Sequence, residues 1–207
     1  MTEKADVFAP GSPEQVLRLV LENPLAWVVS LDDGSFRATP LPLRPRVGGD
    51  GCIEALEGHM ARSNPLCAAL QRDARALILF SGPNGYISPS WVSNRTWAPT
   101  WNYAVVQFIV TIAFDETPAR LDAHLNDLVS AMEQGRAGAW QVSEMGARYE
   151  TLRRMIIPFV ATVVEERPKF KLGQDERDTI FAEITEALDR SGSDALLAWM
   201  RELNPNR

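Results

Sequence analysis

The chain has 207 residues, 45% of them hydrophobic and 23% charged, with a formal net charge of −6. That length suits one domain, or one domain with a helical appendage, and the composition is that of an ordinary globular protein. There is no apolar run of the roughly 18 residues a membrane helix needs, and no concentration of Lys and Arg of the kind that non-specific nucleic-acid binding relies on.

The opening MTEKADVFAPGSPEQ has no apolar leader segment, which predicts a cytoplasmic protein. Ser12, Pro13 and Gln15 then mark a helix start, with Ser12 as N-cap, Pro13 in the first turn and Gln15 closing a capping box. Asn23-Pro24 ends that helix. LAWVVSL reads as a buried strand, Asp32-Asp33-Gly34 as a tight turn, and SFRATPLPLRP as an extended segment. Pro40 and Pro42 suit an irregular or edge position. A second turn, VGGDG, precedes the strand CIEALEGHM.

After Asn64-Pro65 a short helix is predicted over LCAALQRD, then the apolar strand ARALILFSG. The run SGPNGYISPSW (81–91) reads as a bent loop, although Tyr86, Ser88 and Trp91 would share one face if it were extended. TWNYAVVQFIVTIAF (100–114) is the longest strand-like run. Thr117 and Pro118 open an amphipathic helix whose stripe is Leu121, Leu125, Leu128, Val129 and Met132, a core or partner surface. His124 in that helix is expected to be exposed. AWQVSEMGARYETLRRMI reads as further helix, PFVATVVEE as a returning strand, and the tail as one or two helices. Strands joined by turns favour an antiparallel sheet or barrel; no G-x-G-x-x-G follows a strand, which argues against a dinucleotide-binding fold of alternating strands and helices.

Polar chemistry concentrates in four stretches. GHMARSNP (58–65) sets His59, Arg62, Ser63 and Asn64 just before a helix. An arginine fork and a helix N-terminus together could cradle a phosphate; equally, Ser63 or Asn64 could simply cap the helix while Arg62 is solvated. SGPNGYISPSW is the second stretch. The third is TWAPTWNYAVV (96–106): its Trp97 and Trp101, with Trp91 just before it, put half of the six tryptophans within eleven residues, and Asn102 lies among aromatics. In the fourth, RPKFKLGQD, Lys169 and Lys171 alternate around Phe170, with Gln174 following. Cys52 and Cys67 form no framework and read as reduced thiols, and two histidines without clustered cysteines make a metal site improbable.

In this order, TPLPL (39–43), GHMARSNP (58–65), GPNGYISPSW (82–91), PTWNYAVV (99–106) and KFKLGQ (169–174) resemble the PaiB-type family of FMN-binding proteins over about residues 12–190. The resemblance implies an α+β fold: an antiparallel split β-barrel of the FMN-binding type with flanking and C-terminal helices. The whole chain, 1–207, would be one such domain, with about 175–207 as a C-terminal helical extension. It implies a homodimer with FMN in a groove at the interface. His59, Arg62 and Ser63 become candidates for the phosphate, Asn64 for shaping the helix start, and Thr39 for lining the groove. Trp101 and Asn102 become candidates for the second chain's contribution, and Lys171 and Gln174 for contacts to the ribityl chain or ring. Gly173-Gln174-Asp175 departs from the family's usual Ser-Gln-Asn, which predicts weaker phosphate binding if those side chains touch it.

Two functions follow from the resemblance. One is a flavin-dependent oxidoreductase acting on an unknown small-molecule substrate, with no catalytic acid, base or nucleophile evident. The other is the negative transcriptional regulation for which the family is named, acting on DNA directly or through a partner, although no helix-turn-helix or basic recognition helix is present. Haem binding through His124 is a weaker third reading. No membrane association is expected.

Overall fold

The computed structural model describes residues 6–207; residues 1–5, part of the stretch read as lacking a leader, lie outside it. Helix α1 (Pro13–Glu22) begins where expected, but Ser12 caps it through extended backbone alone, with no side-chain bond. Gln15 Oε1 accepts instead from the Gly11 amide at 2.7 Å. Strands β1 (Leu25–Asp32) and β2 (Ser35–Val47) form a hairpin in which Asp32 faces Ser35. Asp33 and Gly34 both take positive φ, 48° and 74°, as a two-residue turn between twisted strands requires.

The segment expected as a buried strand is buried on one face only. Ala26, Val28 and Ser30 point inward, while Leu25, Trp27 and Leu31 point out. The expected edge position of Pro40 and Pro42 is met in half of β2: residues 35–42 pair with β1 and residues 43–47 with β3 (Ile53–Ala61). The prolines thus fall where only one neighbouring strand needs amide donors.

Asn64 caps α2 (Pro65–Arg72), and β4 (Arg75–Ile87) follows. β4 runs six residues past Ser81, through the stretch expected to be a bent loop. The glycine at 82 serves close packing: a Cβ there would lie 3.2 Å from the Ala104 carbonyl oxygen. A 3₁₀ turn (Pro89–Trp91) leads to β5 (Thr100–Phe114), then α3 (Pro118–Glu133), a second 3₁₀ turn (Val142–Met145), α4 (Arg148–Arg153) and β6 (Ile156–Lys171). β6 extends through RPKFK, which belongs to the strand rather than following it. Helices α5 (Asp178–Ser191) and α6 (Asp194–Leu203) complete the tail.

The fold is the expected α+β split barrel. Its strands close in the order β1-β2-β3-β6-β5-β4, with β1 antiparallel to β2 and β4, and β3 antiparallel to β2 and β6. The chain divides into two compact units. One holds the chain up to Asn23, Phe80–Val106 and Arg167–Arg207; the other holds Pro24–Leu79 and Gln107–Glu166.

The first unit packs α1, α5 and α6 around Phe170 and Trp199, whose rings meet edge-on at 5.5 Å. Arg18 lies 4.3 Å over the Trp199 ring, and the indole N–H donates to Glu22 at 3.1 Å. The second unit has its core among Val28, Leu43, Leu56, Met60 and Phe159. Among the described residues, no helix is long and apolar enough to cross a membrane.

Candidate functional site

The nine candidate residues divide between the units. Thr39, His59, Arg62, Ser63 and Asn64 belong to the second unit, and Trp101, Asn102, Lys171 and Gln174 to the first.

In the second unit, Gly58 sets the facing of β3. A Cβ on it would lie 2.5 Å from Leu43 and 2.8 Å from Phe159, its cross-strand neighbours, so only glycine fits that face. Alternation then puts Glu57 and His59 on the opposite face, toward α3. There Arg120 donates to Glu57 at 2.5 Å, and His124, one helical turn on, meets His59 with Nε2 3.0 Å from His59 Nδ1. The chain's two histidines therefore pair with each other. The expectation that His124 is exposed is corrected: it is 4% exposed, because α3 lays that face over β3. Its Nδ1 is buried without a partner. Burial, followed by the neighbouring His59, pulls the His124 pKa down to about 4, and burial lowers that of His59 as well. Both imidazoles are held neutral.

At the end of β3 the sequence left two readings open, capping and phosphate cradle. Asn64 does cap α2: its Oδ1 accepts from the Leu66 amide at 2.9 Å, while its Nδ2 donates to Thr39 Oγ1 at 3.2 Å. Pro65 has no amide hydrogen, and the Cys67 amide donates to the Asn64 carbonyl at 2.9 Å. The first turn of α2 thus spends its amides on its own cap, which corrects the expectation of free N–H groups there. Thr39 is bound to that cap.

Arg62 remains outward. Its amide donates to the Met155 carbonyl at 2.8 Å, its Nε to the Arg154 carbonyl at 3.1 Å and its Nη1 to Glu116 at 2.8 Å. Its side chain is 42% exposed, and a planar guanidinium carries five N–H donors, so several still face out. Ser63 is exposed and lines an apolar recess of about 330 Å³ with Ala61, Leu125, Leu152, Met155 and Ile156.

In the first unit, Trp101 is exposed, its ring 6.0 Å from exposed Tyr86 and its N–H donating to Asn84 at 3.2 Å. Asn102, its neighbour on the strand, faces the other way. It is 2% exposed and its amide donates to the Met200 sulfur at 3.5 Å. Lys171 donates to Thr100 Oγ1. Gln174 folds back on its own backbone, accepting from the Leu172 amide at 2.7 Å and donating to the Phe170 carbonyl at 2.5 Å. Of these four, only Trp101 is exposed, while Lys171 is half-buried. Glu116 and the His59–His124 contact were not singled out from sequence, and Tyr86 was noted only as sharing a face with Ser88 and Trp91. The only available signal was the pairing of two histidines in a chain that has just two.

Residues 4–165 match the family described as "Putative FMN-binding domain". The chain belongs to this PaiB-type FMN-binding family. It is 28% identical over 182 residues to the Bacillus subtilis "Protease synthase and sporulation protein PAI 2", covering 87% of this chain and 86% of that one. Two solved structures share the fold. The FAD and heme binding protein from Mycobacterium smegmatis superposes with a TM-score of 0.62 at 21% identity, over 84% of this chain and 78% of its own. The flavocytochrome Anf3 from Azotobacter vinelandii gives 0.64 at 16% identity, over 87% and 78%. For this PaiB-type chain the family match spans the β3–α2 junction and stops before Lys171 and Gln174.

Proposed function

We propose that this chain is a homodimeric FMN-binding protein serving as a flavin-dependent oxidoreductase. The observation that carries the reading is the outward guanidinium of Arg62 beside exposed Ser63 and an apolar recess, within the residues matched to the FMN-binding family. An arginine fork suits a phosphate dianion, and a flat amphipathic ring calls for apolar surface with a few polar groups at its edge. In this reading Arg62 and Ser63 hold the phosphate, and His59, kept neutral by burial and bound to His124, supports the strand that carries them. Trp101 and Lys171 supply ring and ribityl contacts from the second copy. When bound, FMN supplies the redox chemistry, and the protein's share is binding, orientation and control of access.

The dimer is supported by the outer face of the β1–β2 hairpin. Leu25, Trp27, Leu31 and Phe36 are 63%, 52%, 53% and 79% exposed, and Leu31 stands opposite Phe36 across the ladder. Large side chains clustered on one exposed sheet face are typical of a protein interface. Introducing charge there, as Trp27→Glu with Phe36→Glu, should turn a dimer into a monomer on size-exclusion chromatography with light scattering.

The direct test is to titrate purified protein with FMN, FAD and riboflavin by flavin fluorescence and then follow anaerobic reduction by NADH or NADPH. FMN bound more tightly than riboflavin, and reducible, supports the reading; no affinity for any flavin removes it. The regulator alternative has less support in the geometry, since Arg153, in RYETLRRM (148–155), the densest basic stretch of the sequence, is already paired with Glu150 at 3.0 Å and Asp122 at 3.5 Å. Haem ligation by His124 would require a ring that is 4% exposed to become accessible.

A further inference from the structure

The short link between β5 and α3 is pinned. The Thr117 amide and hydroxyl both donate to Asp115 Oδ1, at 3.0 and 2.7 Å, and the Asp115 amide donates to the Pro158 carbonyl at 3.2 Å. Between them stands Glu116, whose side chain is 59% exposed and whose carboxylate accepts from Arg62 Nη1 at 2.8 Å. The Cys67 thiol, in the first turn of α2, feels both charges: Arg62 lowers its pKa and Glu116 raises it, against a larger upward push from burial. Arg62 stands three residues ahead of Pro65, so the pair lies by that first turn, whose amides are already spent. Arg62 is the cation that the GHMARSNP stretch brings to this junction, and an internal carboxylate already holds one of its N–H groups.

We propose that Glu116 is a built-in competitor of the phosphate group at Arg62, and so the residue that sets how tightly this chain holds a phosphate monoester. The inference rests on the flavin reading above and names the residue that tunes its affinity. The chemistry is an exchange of anions. A carboxylate on an exposed pair is weakly held, while a phosphate dianion offers three oxygens and twice the charge to the same fork. Glu116 lowers the net positive charge that the incoming phosphate meets, and it either swings away or remains as a neighbouring like charge. Either course weakens phosphate binding without affecting a ligand that lacks the phosphate. The pinned backbone of Asp115 and Thr117 lets the carboxylate move without disturbing α3.

The test compares wild type, Glu116→Gln, Arg62→Ala and the double variant, each titrated with FMN and riboflavin by fluorescence and with inorganic phosphate by thermal melting. Glu116→Gln is expected to lower the FMN Kd about tenfold, to leave riboflavin unchanged, and to melt higher in phosphate than wild type does. The gain should vanish in the Arg62→Ala background. An unchanged or weaker FMN affinity in Glu116→Gln overturns the proposal, as does a gain that survives without Arg62. If no variant binds either flavin but phosphate still raises the melting of Glu116→Gln selectively, the flavin reading falls and the competitor stands. If phosphate has no selective effect either, both fall.

Discussion

The β3–α2 junction and the ends of β5 and β6 carry similar residues, an arginine or lysine with amides and neighbouring aromatics, but they commit them differently. In the first unit, Asn102 and Gln174 give their amides to Met200 and to the backbone of residues 170 and 172. Asn204 does likewise, donating to the Leu172 and Met200 carbonyls at 3.2 and 2.7 Å. These are buried or half-buried polar groups whose partners are structural, and leaving any of those partners alone would cost stability. At the junction in the second unit, Asn64 is committed to a helix cap in the same way, yet Arg62 keeps its charge outward beside an exposed carboxylate. The same residue types therefore divide into those that hold the fold and those left over for a ligand, and what distinguishes them is where their hydrogen bonds go.

The largest effect expected concerns the polar pair most deeply committed, His59 and His124. The unfolded chain binds a proton on His124 near pH 6.5, whereas the folded chain resists until about pH 4. Between those values the unfolded state holds more protons, so stability is complete above about pH 6.5 and falls as pH drops through the window. Each pH unit there costs about 1.4 kcal/mol, so that taking the protein from pH 7.5 to 5 should lose about 2 kcal/mol in urea titrations, with His59 acting in the same direction. His124→Leu should lose most of this dependence. If the variant keeps the wild-type difference, the pair is not what couples α3 to β3 in acid.

Much of the fold was legible because its signals are local. Asp33-Gly34, Asn64-Pro65 and the valine-rich run at 100–114 each act through their own backbone or period, and each element appears where expected. What could not be read was tertiary. The apolar stripe of α3 was visible, but only Leu121 of it is buried; the helix also buries His124, because Glu57 and His59 lie beneath it. The four candidates of GHMARSNP and Thr39 were legible as a group, but not that the α2 cap would consume the first-turn amides. SGPNGY was read as a bend from its glycines and proline, whereas it continues β4, with Gly82 packed against Leu19 and Ala104.

A smaller effect is expected at Gly173, where the resemblance implies serine. Its φ is 87°, and a Cβ there would lie 3.1 Å from Phe181 and 3.2 Å from Met200. Gly173→Ser should therefore cost about 1–2 kcal/mol by thermal or urea unfolding, from left-handed backbone strain together with crowding. It should not tighten FMN. A gain in FMN affinity in Gly173→Ser would show that position 173 belongs to a binding surface, and would move that loop to the ligand side of the comparison.

The smallest effect on stability, and the one that most sharpens the contrast, is expected for Arg62→Ala. Its ion pair with Glu116 is exposed at both ends, and such pairs contribute about 0.2–1 kcal/mol. The lost bond to the Arg154 carbonyl adds little, because water can reach that exposed edge. Folding should thus be nearly unchanged, while FMN affinity falls by tenfold or more and riboflavin affinity stays put. Asn64→Ala is the matching control: it removes the α2 cap and should cost about 1 kcal/mol of stability. A residue that serves the ligand should separate affinity from stability, and a residue that serves the fold should move them together. If Arg62→Ala unfolds the protein while the remaining folded fraction binds FMN as before, Arg62 belongs with Asn64 as part of the scaffold.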